Sequence, residues 1–502
     1  MLASPPMKGW RGSDIPRARR SDQYAAAILV ALAFAASRAF YHSKGIRLDW
    51  STIPWFDQLL DPMLLRTRMA QSLLYLHGQP PLYNLLTGIA LKLVPSRPDL
   101  VLTPIFAACG LYSAICLYVI MIRLRLPVPM AAAIASAIVA SPPFILYESW
   151  YFYPHLNVTW LLGAIAWLAQ SRGRPGREMA IAAAHFAGLS LTRSLFHPLF
   201  FGLVVLVILA VAARGSRRSI VGCFLIPGLL LVAWCAKNEI LFGFFGTSSW
   251  ASRNLSHTVE TLVGRGRVQV EERRGQLTPA AGRDPFEDGD SNVVVFGLRP
   301  HSTGIPVLDN VHKQSNSFHS VSYNHWTYPA SAQFYARNAQ HLILAYPATY
   351  LKQLFKTSLP IFFQPVDGNG FFQANRQFIP AQAQMADDLE GSTAARWILA
   401  IGLLLAATIG INSRWTARAE RVVFAVAFLT MAWVFAVGLV GELGENYRFR
   451  YNVLWLSWAI ASVGYAGSIR HVGWLIDDVR QALSERRRSL SPSIGGVDST
   501  AG

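Results

Sequence analysis

Apolar runs close to the ~20 residues that span a bilayer recur along this chain from about residue 24 to residue 469. They fall near 24–42, 80–96, 100–121, 128–147, 156–170, 177–192, 196–213, 219–241, 395–412, 421–441 and 452–469, with a less regular stretch over 340–364. A backbone in lipid must satisfy its own hydrogen bonds, so such runs fold as helices. The expected class is an all-α polytopic membrane protein with about 11–13 transmembrane helices. Composition agrees: 52% of the 502 residues are apolar and only 15% are charged, against ~25% charged in soluble domains. A net charge of +17 would suit a nucleic-acid binder. Here, however, Lys and Arg sit in short clusters between apolar runs, the positive-inside pattern, so membrane lipids and not nucleic acid are the expected partners. Cys109, Cys116, Cys223 and Cys235 all lie in apolar segments without metal-ligand spacing, as core thiols do.

The basic clusters orient the chain. Arg17, Arg19 and Arg20 precede the first run, which the long leader marks as a retained helix and not a cleaved signal. Arg172, Arg174 and Arg177, then Arg214, Arg217 and Arg218, then Arg414, Arg418 and Arg421 occupy later links. Arg480, Arg486, Arg487 and Arg488 close the set, all on the cytoplasmic side. Residues 1–22 and 471–502 are then cytoplasmic tails, the second expected to be unstructured from residue 480, and 23–470 is the transmembrane domain of an inner-membrane protein. Segments 43–79 and 242–340 face outward. Within the second, 251–330 is hydrophilic and Gly-rich, either a flexible lid or insertion or a disordered loop without chemistry. One conflict stands: crossings at both 80–96 and 100–121 would put Arg123 and Arg125 outside.

The unusual polar residues gather on the outward side. They lie in 48–86, in "YESWYFYPHLN" (147–157), "LTRSLFHP" (191–198), "CAKNEILFGFFGTSSW" (235–250), "YNHWTYP" (323–329) and "GELGENYRFRYN" (441–452). Ionisable groups near a bilayer are paired, solvated in a cavity or functional, so one shared outer cavity is expected. Asp61 followed by Pro62 is an N-cap signal for a short interfacial helix over 62–76. Asp49 sits at the end of the first run; Asp57 has nothing further to recommend it. His77 and Gln79 flank the turn before Pro80 and Pro81. Lys237, Arg193, Arg448 and Arg450 bring cations to the outer layer, against the positive-inside bias, which suits an anionic ligand such as a phosphate. Glu442 and Glu445 are available to pair with some of them.

This pattern resembles the GT-C superfamily of membrane glycosyltransferases, in the branch of protein O-mannosyltransferases and lipid A aminoarabinose transferases. The likeness rests on an Asp after the first span (Asp49 or Asp61), an interfacial helix, and "QPPLYNLL" opening the next helix. Glu148 in "ILYESWYFYP" and the Arg step in "ENYRFRYN" complete it. The resemblance implies a sugar donor on a polyprenyl phosphate, an extracytoplasmic glycan, lipid or protein acceptor, and inversion at the anomeric carbon. Asp61 or Asp49 would be the base with Glu148 assisting. Lys237, Arg193, Arg448 and Arg450 would meet the donor phosphate, and His77, Gln79, Tyr153, His155, Glu445 and Asn446 would line the site. The chain departs from that branch at Gly78-Gln79, where the branch carries Glu-Lys; the missing Glu is a metal ligand there, and no metal is expected here. Outside this resemblance, a flippase for a polyprenyl-linked glycan would use the same basic cavity without a base, and a non-catalytic scaffold would need neither.

Overall fold

The computed structural model describes residues 19–366, 370–412 and 416–490; the expectations placed on Arg17, Arg414 and the chain after Leu490 lie outside them. Helices α1 (Arg20–Ser43), α2 (Pro62–Thr67), α3 (Met69–Leu74), α4 (Pro81–Leu93), α5 (Asp99–Arg123), α6 (Val128–Ala140), α7 (Pro142–Ser149) and α8 (Tyr153–Ser171) open the chain. α9 (Arg177–Thr192), α10 (Pro198–Val211) and α11 (Arg217–Phe242) lead to the hydrophilic segment. That segment holds α12 (Ala251–Val263), α13 (Arg265–Arg273), α14 (Gly289–Phe296), α15 (Pro306–Asp309) and α16 (Thr327–Ala345). α17 (Pro347–Gln353), α18 (Leu359–Phe362), α19 (Gly370–Asn375), α20 (Ala381–Glu390), α21 (Thr393–Ile411), α22 (Arg418–Val440) and α23 (Asn446–Leu490) follow. Among the described residues the only β-pairing is two isolated bridges.

The molecule is an all-helical, polytopic membrane protein. By length and composition α1, α5, α11, α21 and α22 can each cross a membrane, and α6 with α7, bent by 52°, can form a sixth span. The other apolar runs fall on α4, α8, α9, α10 and α23. In α1 the buried residues are Ala26, Val30, Phe34, Arg38 and Tyr41, a stripe at helical spacing. Ile28, Leu29 and Leu32 are exposed on the same helix, as lipid-facing residues are. The α6–α7 bend lies at Ser141-Pro142-Pro143: a residue before proline is driven to extended backbone, and Ser141 has ψ 147°.

The crossing conflict resolves at α4. Tyr118, late in α5, donates to the Gln23 carbonyl near the start of α1, and Arg125 pairs with Glu420 near the start of α22 at 2.5 Å. The C-terminal end of α5 therefore lies with the basic links, and its start lies at the opposite end, where α4 also begins. α4 goes in and does not cross. The stretch 340–364 is likewise no single span, because Pro347 and Pro360 restart it as short pieces around a π turn at Leu354–Ser358.

One alternative falls and one expectation fails. The hydrophilic segment is an ordered insertion and not a disordered loop: Val259, Leu262 and Val263 of α12 pack on Ala339 and Leu342 of α16 in a second small core. Arg253 is fully buried there between the rings of Tyr328 and Tyr335, each 4.5 Å away, and donates to Pro285 O and Ser331 Oγ. The second failure is the tail, where α23 continues to Leu490. Ile469, Val472, Ile476, Val479 and Leu483 recur there at three- and four-residue spacing, a helical stripe hidden by the polar composition around it.

Candidate active site

At the end of the bundle opposite the basic links, the first loop is held by partners far away in sequence. Asp61 caps α2: its carboxylate accepts from Met63 N at 2.9 Å, Gln314 N at 2.7 Å and Ser315 Oγ. Both oxygens are occupied and the residue is buried. Asp49 is part-exposed; one oxygen accepts from Ser51 N and Ser51 Oγ, while its backbone bridges to Trp150 and binds Ser149 O and Tyr151 N. That bridge ties the end of α1's loop to the 147–157 segment, so these two polar stretches do meet.

Of the three acids in this loop, Asp57 is the one whose side chain makes no hydrogen bond or ion pair among the described residues. Its backbone is fixed on both sides. Lys313 Nζ donates to Phe56 O at 2.6 Å, Asn84 Nδ2 donates to Gln58 O at 3.0 Å, and Asn84 Oδ1 accepts from Leu60 N at 2.8 Å. The side chain is exposed in a cleft that Gln79, Trp250 and Tyr323 also line. The cleft is small and open to one side, with a volume of about 10 Å³, room for about one water. Desolvation raises the Asp57 carboxyl above its ordinary range, against the pull of Lys313 and Arg448. Lys313, buried beside Asp57 and Asp61, is lowered by desolvation to about 8.

Two buried guanidinium groups flank Tyr153. Arg193 lies 4.3 Å from the centre of its ring, and Arg448 lies 5.9 Å from it and 5.0 Å from that of Phe152. Arg193 donates to Gln79 Oε1 at 2.8 Å, which places Gln79 as a neutral partner to a cation. Arg448 pairs with part-exposed Glu445 at 2.6 Å, but its Nε is buried with no acceptor. Glu442, between α22 and α23, is raised by desolvation and feels both arginines. Two like charges in one layer, one with a buried donor to spare, favour an anion near them.

The other expected residues divide differently. Glu148 is held in a bidentate pair with Arg38 of α1, at 3.0 and 2.6 Å, with both side chains buried. A Cβ on Gly110 would come within 2.0 Å of Glu148 Oε2, so only glycine leaves room for that carboxylate. His155 sits beside the pair, its Nε2 4.0 Å from Glu148 and its Nδ1 buried without a partner. His77 is a knot: its ring binds Ser249 Oγ and Asn324 O, its N–H binds Asn324 Oδ1, and burial lowers it to about 3. Asn446 closes the α22–α23 turn through Gly438 O and Glu442 O. Lys237 donates to Leu76 O at 2.5 Å from over the Trp234 ring, and Arg450 donates to Gln364 O at 2.9 Å. Among the described residues no cluster of three or more His, Cys, Asp or Glu could hold a metal.

Asp57, Lys313, Asn84 and Arg38 are the residues that sequence reasoning passed over. Arg38 carried a usable signal, a lone charge inside the first apolar run. Lys313 carried none, being one cation in a polar loop.

The fold and this layer define a helical, multi-pass membrane protein with a small polar cleft at one end, lined by Asp57 and Gln79, and two buried arginines beside Tyr153 in the same layer. No family model matches the chain, and no curated protein matches it. Among solved structures, the crystal structure of ArnT from Cupriavidus metallidurans bound to undecaprenyl phosphate aligns at 15% identity over 90% of this chain and 79% of that one, with a TM-score of 0.30. No residue correspondence follows from a superposition of that quality.

Proposed function

We propose that the chain is an inverting glycosyltransferase that takes a sugar from a polyprenyl phosphate and delivers it to an extracytoplasmic hydroxyl. One observation carries the reading: Asp57, a carboxylate without a side-chain partner among the described residues, feels the charge of Arg448, whose buried Nε has no acceptor and which lies beside the same Tyr153 ring as buried Arg193. In this scheme Asp57 takes the proton as the acceptor oxygen attacks the anomeric carbon. The bond from that carbon to the phosphate oxygen breaks, and the lipid phosphate leaves as an anion held by Arg193 and Arg448. Gln79 aims Arg193, and Tyr153 separates the two cations. Asp61 keeps the loop in place and takes no proton. The cleft is too small for a sugar and must widen to admit one.

The test is transfer from a radiolabelled polyprenyl-phosphate sugar by protein reconstituted in vesicles, with release of polyprenyl phosphate followed in parallel. Arg193→Ala and Arg448→Ala should each weaken donor binding by roughly 10- to 100-fold, the scale of a charge-assisted pair worth about 1.5–3 kcal/mol. Wild-type protein that binds no polyprenyl phosphate would refute the reading.

The pH profile gives a second check. A base must be ionised, so kcat/KM falls as pH drops through the raised Asp57 value. Lys313 pulls that value down, so Lys313→Met should move the acidic limb to higher pH. An unmoved limb, in an active variant, would mean that another group is the base.

A further inference from the structure

At the basic end of the same helices, the α8–α9 link, the α10–α11 link and the start of α22 enclose a cavity of about 220 Å³. Arg172, Arg174 and Arg418 line it with Ser216, and Ala212 and Val422 form an apolar part of its wall. We propose that this cavity is a binding site for a phosphate group, presented by an anionic lipid headgroup or free in solution. The site is separate from the cleft at the other end and does not rest on the transferase reading.

Three exposed arginines from two distant parts of the chain line one small, open cavity. None of them makes a side-chain hydrogen bond or ion pair among the described residues. The acid in the first turn of α22 is already engaged: Glu420 pairs with Arg125 at 2.5 Å and accepts from Ala417 N at 3.0 Å. Glu178, in the first turn of α9, does not line the cavity. The walls are fixed by a left-handed turn, with Arg172 at φ 53° and Gly173 at φ 68°. A Cβ on Gly173 would lie 3.5 Å from the Ala419 Cα, so the turn sits against the start of α22. α11 and α22 both begin here, and their first N–H groups add positive potential to that of the arginines. The volume is below the ~300–1,000 Å³ of sites for drug-sized ligands, which suits a phosphate with little attached inside the cavity. Basic pockets between membrane helices take phospholipid headgroups by the same chemistry.

The probes are dioleoylphosphatidylglycerol, dioleoylphosphatidylcholine and inorganic phosphate, applied to the full chain purified in detergent. Native mass spectrometry reads lipid retention, and a thermal melt reads phosphate. Wild-type protein should retain phosphatidylglycerol over phosphatidylcholine, and Arg174→Gln/Arg418→Gln should lower that retention roughly 10- to 30-fold, about 1 kcal/mol per charge. A phosphate-dependent rise in melting temperature that the same variant loses, without lipid preference, would assign the site to a soluble phosphate. Arg174→Lys/Arg418→Lys should recover most of the binding, which a folding defect would not allow. Equal retention of both lipids by wild type and variant, with no phosphate effect, overturns the site.

Discussion

Asp57→Asn is expected to lower sugar transfer by roughly 10²- to 10⁴-fold, the usual contribution of a positioned base. Donor binding should hold or tighten in the same variant, because a negative charge near the phosphate is gone. The change is nearly isosteric. Asp57 makes no side-chain contact that folding depends on, and its backbone stays fixed by Lys313 and Asn84. Asp61→Ala should behave in the opposite way. It removes a helix cap and the anchor of Gln314 and Ser315, with a loss of about 0.5–2 kcal/mol in stability. Transfer by Asp61→Ala should fall only as far as the loop loosens, and tight donor binding should restore part of it. Steady-state transfer and donor binding, measured for both variants, decide the matter. An Asp57→Asn enzyme with wild-type turnover beside a folded, inactive Asp61→Asn enzyme would reverse the assignment.

That contrast shows where sequence reasoning stops. Asp57 and Asp61 are four residues apart in one loop, and Asp61-Pro62 announced a cap that the structure contains. Which of the two acids is left free depends on Gln314 and Ser315, more than 250 positions away. Apolar periodicity is local and was readable, which is why the runs fall on helices. Hydrogen-bond partners are not local: Asn84 reaches back 26 residues to Gln58, and Glu148 reaches 110 to Arg38. The order of the hydrophilic segment was hidden for the same reason. Its small core joins α12 to α16, and neither helix is apolar enough alone to announce a packed unit. Whether α4 crosses was open in the sequence for a related reason: its apolar content suits a span, and only the contacts of α5 show which end its neighbour starts from.

The largest effect on stability is expected at Glu148. Its carboxylate and the Arg38 guanidinium are both buried, in a bidentate pair with Phe34 stacked 3.8 Å from the guanidinium carbon. Glu148→Gln removes the charge and leaves Arg38 uncompensated, a change that costs about 3–5 kcal/mol where a buried pair is broken. Arg38 would keep only its bonds to Ser37 Oγ and Val139 O. Replacing both partners is another matter. Arg38→Met/Glu148→Met removes the two desolvation penalties together and should return most of the lost stability. Thermal unfolding of the single and double variants in detergent, followed by intrinsic fluorescence, measures the coupling. The double variant also tests chemistry. If the pair is a strut between α1 and α7, the refolded double variant transfers sugar at close to the wild-type rate. If Glu148 also helps to orient the acceptor, the same protein is folded, binds donor and turns over slowly. A single Glu148→Gln variant as stable as wild type would show that this pair holds nothing together.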